Sequence, residues 1–356
     1  MDHQEVPMKA CVLHAVGDLR CEAVATPAPK AGEALIRVAA CGVCGSDIPR
    51  VFSKGTYRFP TIPGHEFAGE VVGVGEDVDE ALVGRRVAVF PLIPCHACSS
   101  CEIGAHAQCE DYDYLGSRSD GAFAEYVRAP VWNLLEVPDG VSLIEAAMCE
   151  PAAVAAHAVR RSEMAVGDTV LVFGAGPIGL LLGQWARISG AGDVMLVDID
   201  EARLEFARGL GFEFVFNARD GGAVAWVMAR TGRGAAVVIE GSGSSAAFEQ
   251  CMKAARPFGT VVLMGNPAGE MRLSQEAYWA VLRKELTVRG TWNSSFASTP
   301  HNEWRLALDA MAGKRLNVMP LITHRVGLDE LWDALVMMRD RTAFSNKVMY
   351  VNDEGA

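Results

Sequence analysis

Thr169–Ile188, TVLVFGAGPIGLLLGQWARI, and the following Asp193–Asp200, DVMLVDID, decide the fold of this 356-residue chain. The stretch is uncharged from Thr169 to Ala186, slightly short of the about 20 residues that cross a bilayer. Gly174, Gly176, Pro177, Gly179 and Gly183 also interrupt it, so a buried strand, turn and helix are expected instead of a membrane span. Gly174, Gly176 and Gly179 have G-x-G-x-x-G spacing, with Pro177 and Ile178 inside it. The first glycine admits a tight turn, the second lets a pyrophosphate approach the backbone, and the third allows close helix packing. The helix N-terminus would then present unpaired N–H groups to the diphosphate. The competing reading is a glycine-rich packing turn. Asp198 weighs against it, because it ends the next strand-like run nineteen residues after Gly179, where a carboxylate would bind adenosine ribose hydroxyls. That carboxylate would repel a 2′-phosphate, which favours NAD over NADP. Arg203 either lies near the adenosine end or is an exposed helical arginine.

Outward from this motif the texture divides the chain. From about Pro151, AAVAAHAVRRSEM, EARLEFARGLG, AAVVIEGSG and GTVVLMGN alternate helix-like with strand-like runs, as a doubly wound parallel sheet requires. Residues from about Met8 to Val131 read as short strands of an antiparallel or barrel-like β domain, for example EALIRVAACG and GRRVAVFPL. After about Gly290 the pattern is mixed, ending in helix-like LDELWDALVMMRD and strand-like KVMYV. The expected architecture is therefore α/β, with residues 156–290 as the dinucleotide domain. Residues 1–155 and 291–356 form the other domain, the tail returning to it.

The net charge of -12 disfavours a sequence-blind nucleic-acid binder, which needs basic residues against phosphates. Ten cysteines accompany an N-terminus with no apolar signal segment, so reduced thiols and a cytoplasmic setting are expected. Cys95, Cys98, Cys101 and Cys109 form a C-x2-C-x2-C-x7-C run, in a lobe of about residues 93–112. Four thiolates there can close a tetrahedral structural zinc site. The first three match an iron-sulfur spacing, but Cys109 comes too late and no proline follows it. Cys44, His65, Glu66 and Glu150 are dispersed, and alone each is weak: a loop histidine, or a glutamate opening a helix. Together they suit an open catalytic zinc that polarises an alcohol oxygen. Cys41 and Cys149 are neighbouring decoys.

GHEFAGEVVGVG, the four-cysteine lobe, GAGPIG and the acidic strand end together resemble the zinc-dependent medium-chain dehydrogenase/reductase superfamily. Glu150 stands where the Cys-His-Cys type of alcohol dehydrogenase has a second cysteine, which points to the polyol dehydrogenase branch. CGSDIPRVF, PLIPCHACSSC, QCEDYDYLGSRSDGAFAEY and RKELTVRGTW resemble its members that act on phosphorylated sugar alcohols. The resemblance implies a GroES-like β-rich catalytic domain, a Rossmann domain, two zincs per subunit, NAD and a homodimer or homotetramer. It implies Cys44, His65 and Glu150 as catalytic-zinc ligands, Glu66 as a fourth or alternating ligand, and Ser46 as the hydroxyl that relays the substrate proton. Pro49 replaces a histidine often used in that relay, and Asn293 falls where sorbitol dehydrogenases place an arginine. A substrate phosphate would need a cation from Arg50, Lys54, Arg58 or Arg118, with Arg118 the favoured candidate. The expected reaction is oxidation of a secondary alcohol of a polyol or polyol phosphate to a ketose. Alternatives are a non-phosphorylated sorbitol, galactitol, threonine, butanediol or amino-cyclitol substrate, or, more distantly, a non-enzymatic zinc-ribbon interaction protein.

Overall fold

The computed structural model describes residues 7–267, 269–297 and 302–352. Two compact units emerge. One runs through Glu150 and resumes over Ser295–Lys314 and from Val318 onward; the other comprises Pro151–Ser294 and Arg315–Asn317. The return of residues 315–317 to the second unit has a local cause. The Gln184 side chain donates to Asn317 O at 3.0 Å and accepts from Asn317 N at 2.9 Å, tying this short segment to the Pro177–Ile188 helix.

The second unit is a six-stranded sheet in the order Phe214–Asn217, Val194–Asp198, Val170–Phe173, Ala235–Glu240, Ala255–Leu263, Thr287–Gly290. Every pairing is parallel. The central strands are buried end to end, which is why they read as unbroken apolar runs. The Pro177–Ile188 helix begins at Gly176 with proline in its first turn, where the missing N–H costs nothing. Gly179 is required by space, because a Cβ there would lie 1.8 Å from Gly174 O. No helix among the described residues is long and apolar enough to cross a membrane.

The first unit is β-rich. Its main sheet runs Ile322–Val326, Lys347–Val351, Glu33–Gly42, Glu66–Val74, Arg86–Val89, Leu134–Glu136, with Tyr126–Pro130 also paired to Glu33–Gly42. The tail strand Lys347–Val351 is antiparallel to Glu33–Gly42, with Met349 opposite Gly42. This register sets Lys347 beside the chain leaving that strand at Val43 and Cys44. A hairpin of Pro7–Ala15 and Asp18–Ala25 buttresses the loop before His65, through reciprocal Leu13–Thr61 backbone hydrogen bonds of 2.8 and 3.1 Å.

Candidate functional site

Cys44 leaves the Glu33–Gly42 strand and enters a tight turn built around Asp47, which is fully buried. One Asp47 oxygen accepts the Cys44 N–H at 2.9 Å. The other accepts from Arg50 and lies 3.6 Å from His65 Nδ1. His65 Nδ1 is buried with no hydrogen-bond partner among the described residues, and it faces Asp47 at 3.6 Å. That orientation leaves Nε2 as the ring nitrogen available for a metal. Glu66 opens the next strand opposite Gly42, where a Cβ would come within 2.3 Å of Glu66 Oε2. Glycine is therefore what allows this carboxylate to fold inward.

Ligand atoms of Cys44, His65 and Glu66 lie within 4.8 Å of one another. Glu150 falls outside that mutual spacing but faces the same charges. Burial and then the Glu66 charge push its carboxyl up to about 8, against the opposing effect of His65. Burial, Glu66 and Asp47 likewise push the Cys44 thiol up to about 11. A set of one half-buried thiol, one buried imidazole and clustered buried carboxyls is suited to a divalent cation, which supplies the missing counter-charge. Adding the second zinc to a chain whose cysteine lobe already holds its ion should therefore release about two protons at pH 7, one each from Cys44 and Glu150. At pH 9, where Glu150 is already ionised, the release should fall to about one. An indicator dye in weak buffer reads the difference, and equal release at both pH values would contradict the assignment.

Glu66 is not left to a metal alone. Lys347 Nζ, also buried, donates to Glu66 Oε2 at 2.6 Å and to Val43 O at 3.1 Å. Glu66 thus has one oxygen committed to an ammonium. Cys41 and Cys149 stand apart from the ligand group: Cys41 is directed to Gly42 O, and Cys149 donates to Trp304 O at 3.4 Å.

The cysteine lobe satisfies a tetrahedral ion. Cys95 and Cys101 sulfurs are 4.0 Å apart and those of Cys98 and Cys109 3.9 Å apart. Zinc–sulfur bonds of about 2.3 Å in a tetrahedron imply roughly 3.8 Å. Backbone N–H groups of Glu110 and Cys101 pull the Cys98 thiol down to about 6, the direction a thiolate ligand requires.

Tyr114, which sequence reading missed, completes the surroundings. Its ring stands edge-on to His65, with centroids 5.7 Å apart. Burial and then the charges of Glu150 and Cys44 push the phenol well above its ordinary range, so it remains a hydrogen-bond donor. The Tyr114 carbonyl accepts the N–H of Arg118 at 2.9 Å, fixing the turn that carries that arginine.

The four candidate cations separate clearly. Arg50 is paired with Asp47 through one guanidinium nitrogen. Arg58 pairs with Asp120 at 2.8 Å and donates to Arg118 O and Pro60 O, contacts that tie it to the turn. Lys54 is exposed. Arg118 is sandwiched between Tyr57 and Tyr112, 4.4 and 4.3 Å from the ring centroids. Its Nε is buried without a hydrogen-bond partner, and among the described residues it forms no ion pair. Asn293 belongs to the other unit, in a left-handed conformation, its amide oxygen accepting from Ser294 Oγ at 3.2 Å.

In that unit Asp198 holds the glycine turn. One oxygen accepts the Ala175 N–H at 2.7 Å; the other accepts those of Ile199 at 2.7 Å and Asp200 at 3.0 Å. Arg203 Nη1 lies 3.7 Å from Asp198 and faces the open side of Gly176, where an added Cβ would meet only this flexible side chain. The approach a pyrophosphate needs is therefore clear.

Residues 30–139 match the family described as "Alcohol dehydrogenase GroES-like domain", and residues 177–313 match "Zinc-binding dehydrogenase". The chain is 33% identical to galactitol 1-phosphate 5-dehydrogenase of Escherichia coli K12 over 97% of its own length and 100% of that protein. It is 31% identical to sorbitol dehydrogenase of Bacillus subtilis, covering 92% of each. The E. coli galactitol-1-phosphate dehydrogenase structure superposes with a TM-score of 0.91 at 33% identity, over 97% of this chain and 100% of that one. A zinc-binding dehydrogenase of Sinorhizobium meliloti bound to NADP has a TM-score of 0.89 and 32% identity, over 98% and 100%. An alcohol dehydrogenase of E. coli CFT073 complexed with NADH has 0.89 and 28%, over 97% and 99%. Sequence likeness and fold thus agree over almost the entire chain, and it belongs to the zinc-dependent medium-chain dehydrogenase/reductase family, oxidoreductases that act on alcohol carbons with zinc and a nicotinamide dinucleotide.

Proposed function

We propose that this enzyme oxidises a secondary alcohol of a phosphorylated sugar alcohol to the ketose phosphate, with NAD as hydride acceptor. The observation that carries the proposal is Arg118. Its guanidinium is held flat between two tyrosines, has no acidic partner among the described residues, and sits on the turn organised by Tyr114, which packs on His65. A planar fork so held is suited to a phosphate dianion. The preference for NAD rests on Asp198, whose carboxylate disfavours a 2′-phosphate. The cytoplasm and a homodimer or homotetramer are part of the same reading. Val288 on the outermost strand of the parallel sheet and Trp292 just beyond its end are exposed, a surface such an assembly would cover, which sedimentation velocity tests.

When bound, zinc polarises the carbinol oxygen and lowers its pKa. Cys44, His65 and Glu150 would hold it, with Glu66 or water completing the set. Asp47 keeps the His65 ring oriented. Ser46, half-buried two residues after Cys44, takes the carbinol proton on its hydroxyl. Pro49 offers no titratable group to receive it next, so the next acceptor on this route would be water.

Arg118→Ala should lower kcat/KM about 10- to 100-fold for a phosphorylated hexitol and leave the free hexitol nearly unchanged, because charge-assisted hydrogen bonds to phosphate are lost. NADH absorbance with both substrates measures this. Equal losses on the two would remove the phosphate role. A second reading, an unphosphorylated alcohol substrate, is favoured by the likeness to sorbitol dehydrogenase. It would stand if wild-type enzyme turned over both forms equally.

A further inference from the structure

The polar groups around the zinc triad can be accounted for one by one. Asp47 is occupied by the Cys44 N–H and Arg50, with the His65 ring nearby at 3.6 Å. Glu66 is held by Lys347. Ser46 is assigned to the reacting proton. The Tyr114 hydroxyl remains: it makes no hydrogen bond among the described residues, yet the residue is only half-buried and its ring is fixed against His65.

The position is rigid. Tyr114 pairs with Leu92 in a short antiparallel ladder, its N–H is bonded to Asp113 Oδ1 at 2.7 Å, and its carbonyl is engaged by the N–H groups of Ser117, Arg118 and Ser119. A sugar alcohol differs from a simple secondary alcohol in carrying a hydroxyl beside the carbon that is oxidised. Removing that hydroxyl from water requires a partner in the site, and a site built for it discriminates against the analogue that lacks it. We propose that Tyr114 is a substrate-recognition residue whose phenol donates a hydrogen bond to the hydroxyl vicinal to the reacting carbinol, selecting polyols over mono-alcohols. The assignment rests on the polyol reading above but not on the phosphate, which is the task of Arg118.

The test compares wild type with Tyr114→Phe, both zinc-loaded and with NADH present. Titration calorimetry measures binding of a free hexitol, of its phosphate, and of analogues of each deoxygenated on either side of the reacting carbon. Wild type should lose about three- to tenfold in affinity for one analogue, the range of a single neutral hydrogen bond. Tyr114→Phe should bind the parent as weakly as wild type binds that analogue and should not distinguish the two. Zinc content should stay equal in both proteins, since neither ligand set is touched. A Phe variant that discriminates as sharply as wild type, or a wild type that does not discriminate, would overturn the assignment. Failure of the functional reading looks different: vicinal-hydroxyl discrimination would persist in calorimetry while no hexitol phosphate produced NADH.

Discussion

Replacing Cys44 with serine is expected to reduce kcat/KM on the substrate by at least about 10³-fold, and zinc content should fall from about two to about one ion per chain. The magnitude follows from what the metal does. Stabilising developing negative charge on the carbinol oxygen is worth several kcal/mol, and each 1.4 kcal/mol is about a factor of ten in rate. Serine keeps the shape of the turn but not the soft thiolate, and its hydroxyl binds zinc poorly. The Cys44 N–H still has Asp47 to donate to, so the turn should survive and thermal unfolding should change little. The cysteine lobe is built on separate residues and should keep its ion. Metal analysis by mass spectrometry and steady-state NADH formation therefore give a paired readout. Full activity in this variant, or loss of both zincs together, would refute the division into catalytic and structural sites.

Lys347→Met should destabilise the protein by about 3–5 kcal/mol, the cost of leaving a buried carboxylate without its partner. Lys347 and Glu66 are each almost wholly inaccessible, and the ammonium also caps Val43 O. A methionine fills similar volume, so the loss reports charge and hydrogen bonding more than a cavity. Adding Glu66→Gln to Lys347→Met should recover most of the stability, since the double variant buries no unpaired charge. Urea midpoints of wild type, both single variants and the double variant form the cycle that separates this coupling from packing. A single variant as stable as wild type would mean that Glu66 does not depend on Lys347.

How far these sites could be read in advance varied with the distance along the chain that each one spans. Cys95 to Cys109 fit one ion because fifteen consecutive residues hold all four sulfurs, so spacing alone carries the geometry. The glycine turn and Asp198 belong to one strand-turn-helix-strand unit and were equally legible. Lys347 left no such trace. A lone lysine ahead of a strand-like KVMYV looks like any strand flank until the tail pairs with Glu33–Gly42. Tyr114 was hidden in an aromatic-rich loop whose residues resemble packing, and only the fold sets its ring against His65. Among the four basic candidates, sequence could name Arg50, Lys54, Arg58 and Arg118 but could not know which carboxylates would neutralise them. Asp47 and Asp120 did that for two, and the tyrosines isolated Arg118.

By itself the sequence determined the α/β architecture, and it named the cysteine lobe and the dinucleotide turn as candidates because each is written as residue type at short, fixed spacing. The tertiary structure decided which charges are spent and which remain for a substrate. Pairing energy depends on distance and burial, and for Glu66 and Lys347 these are set by strand register between residues 281 positions apart.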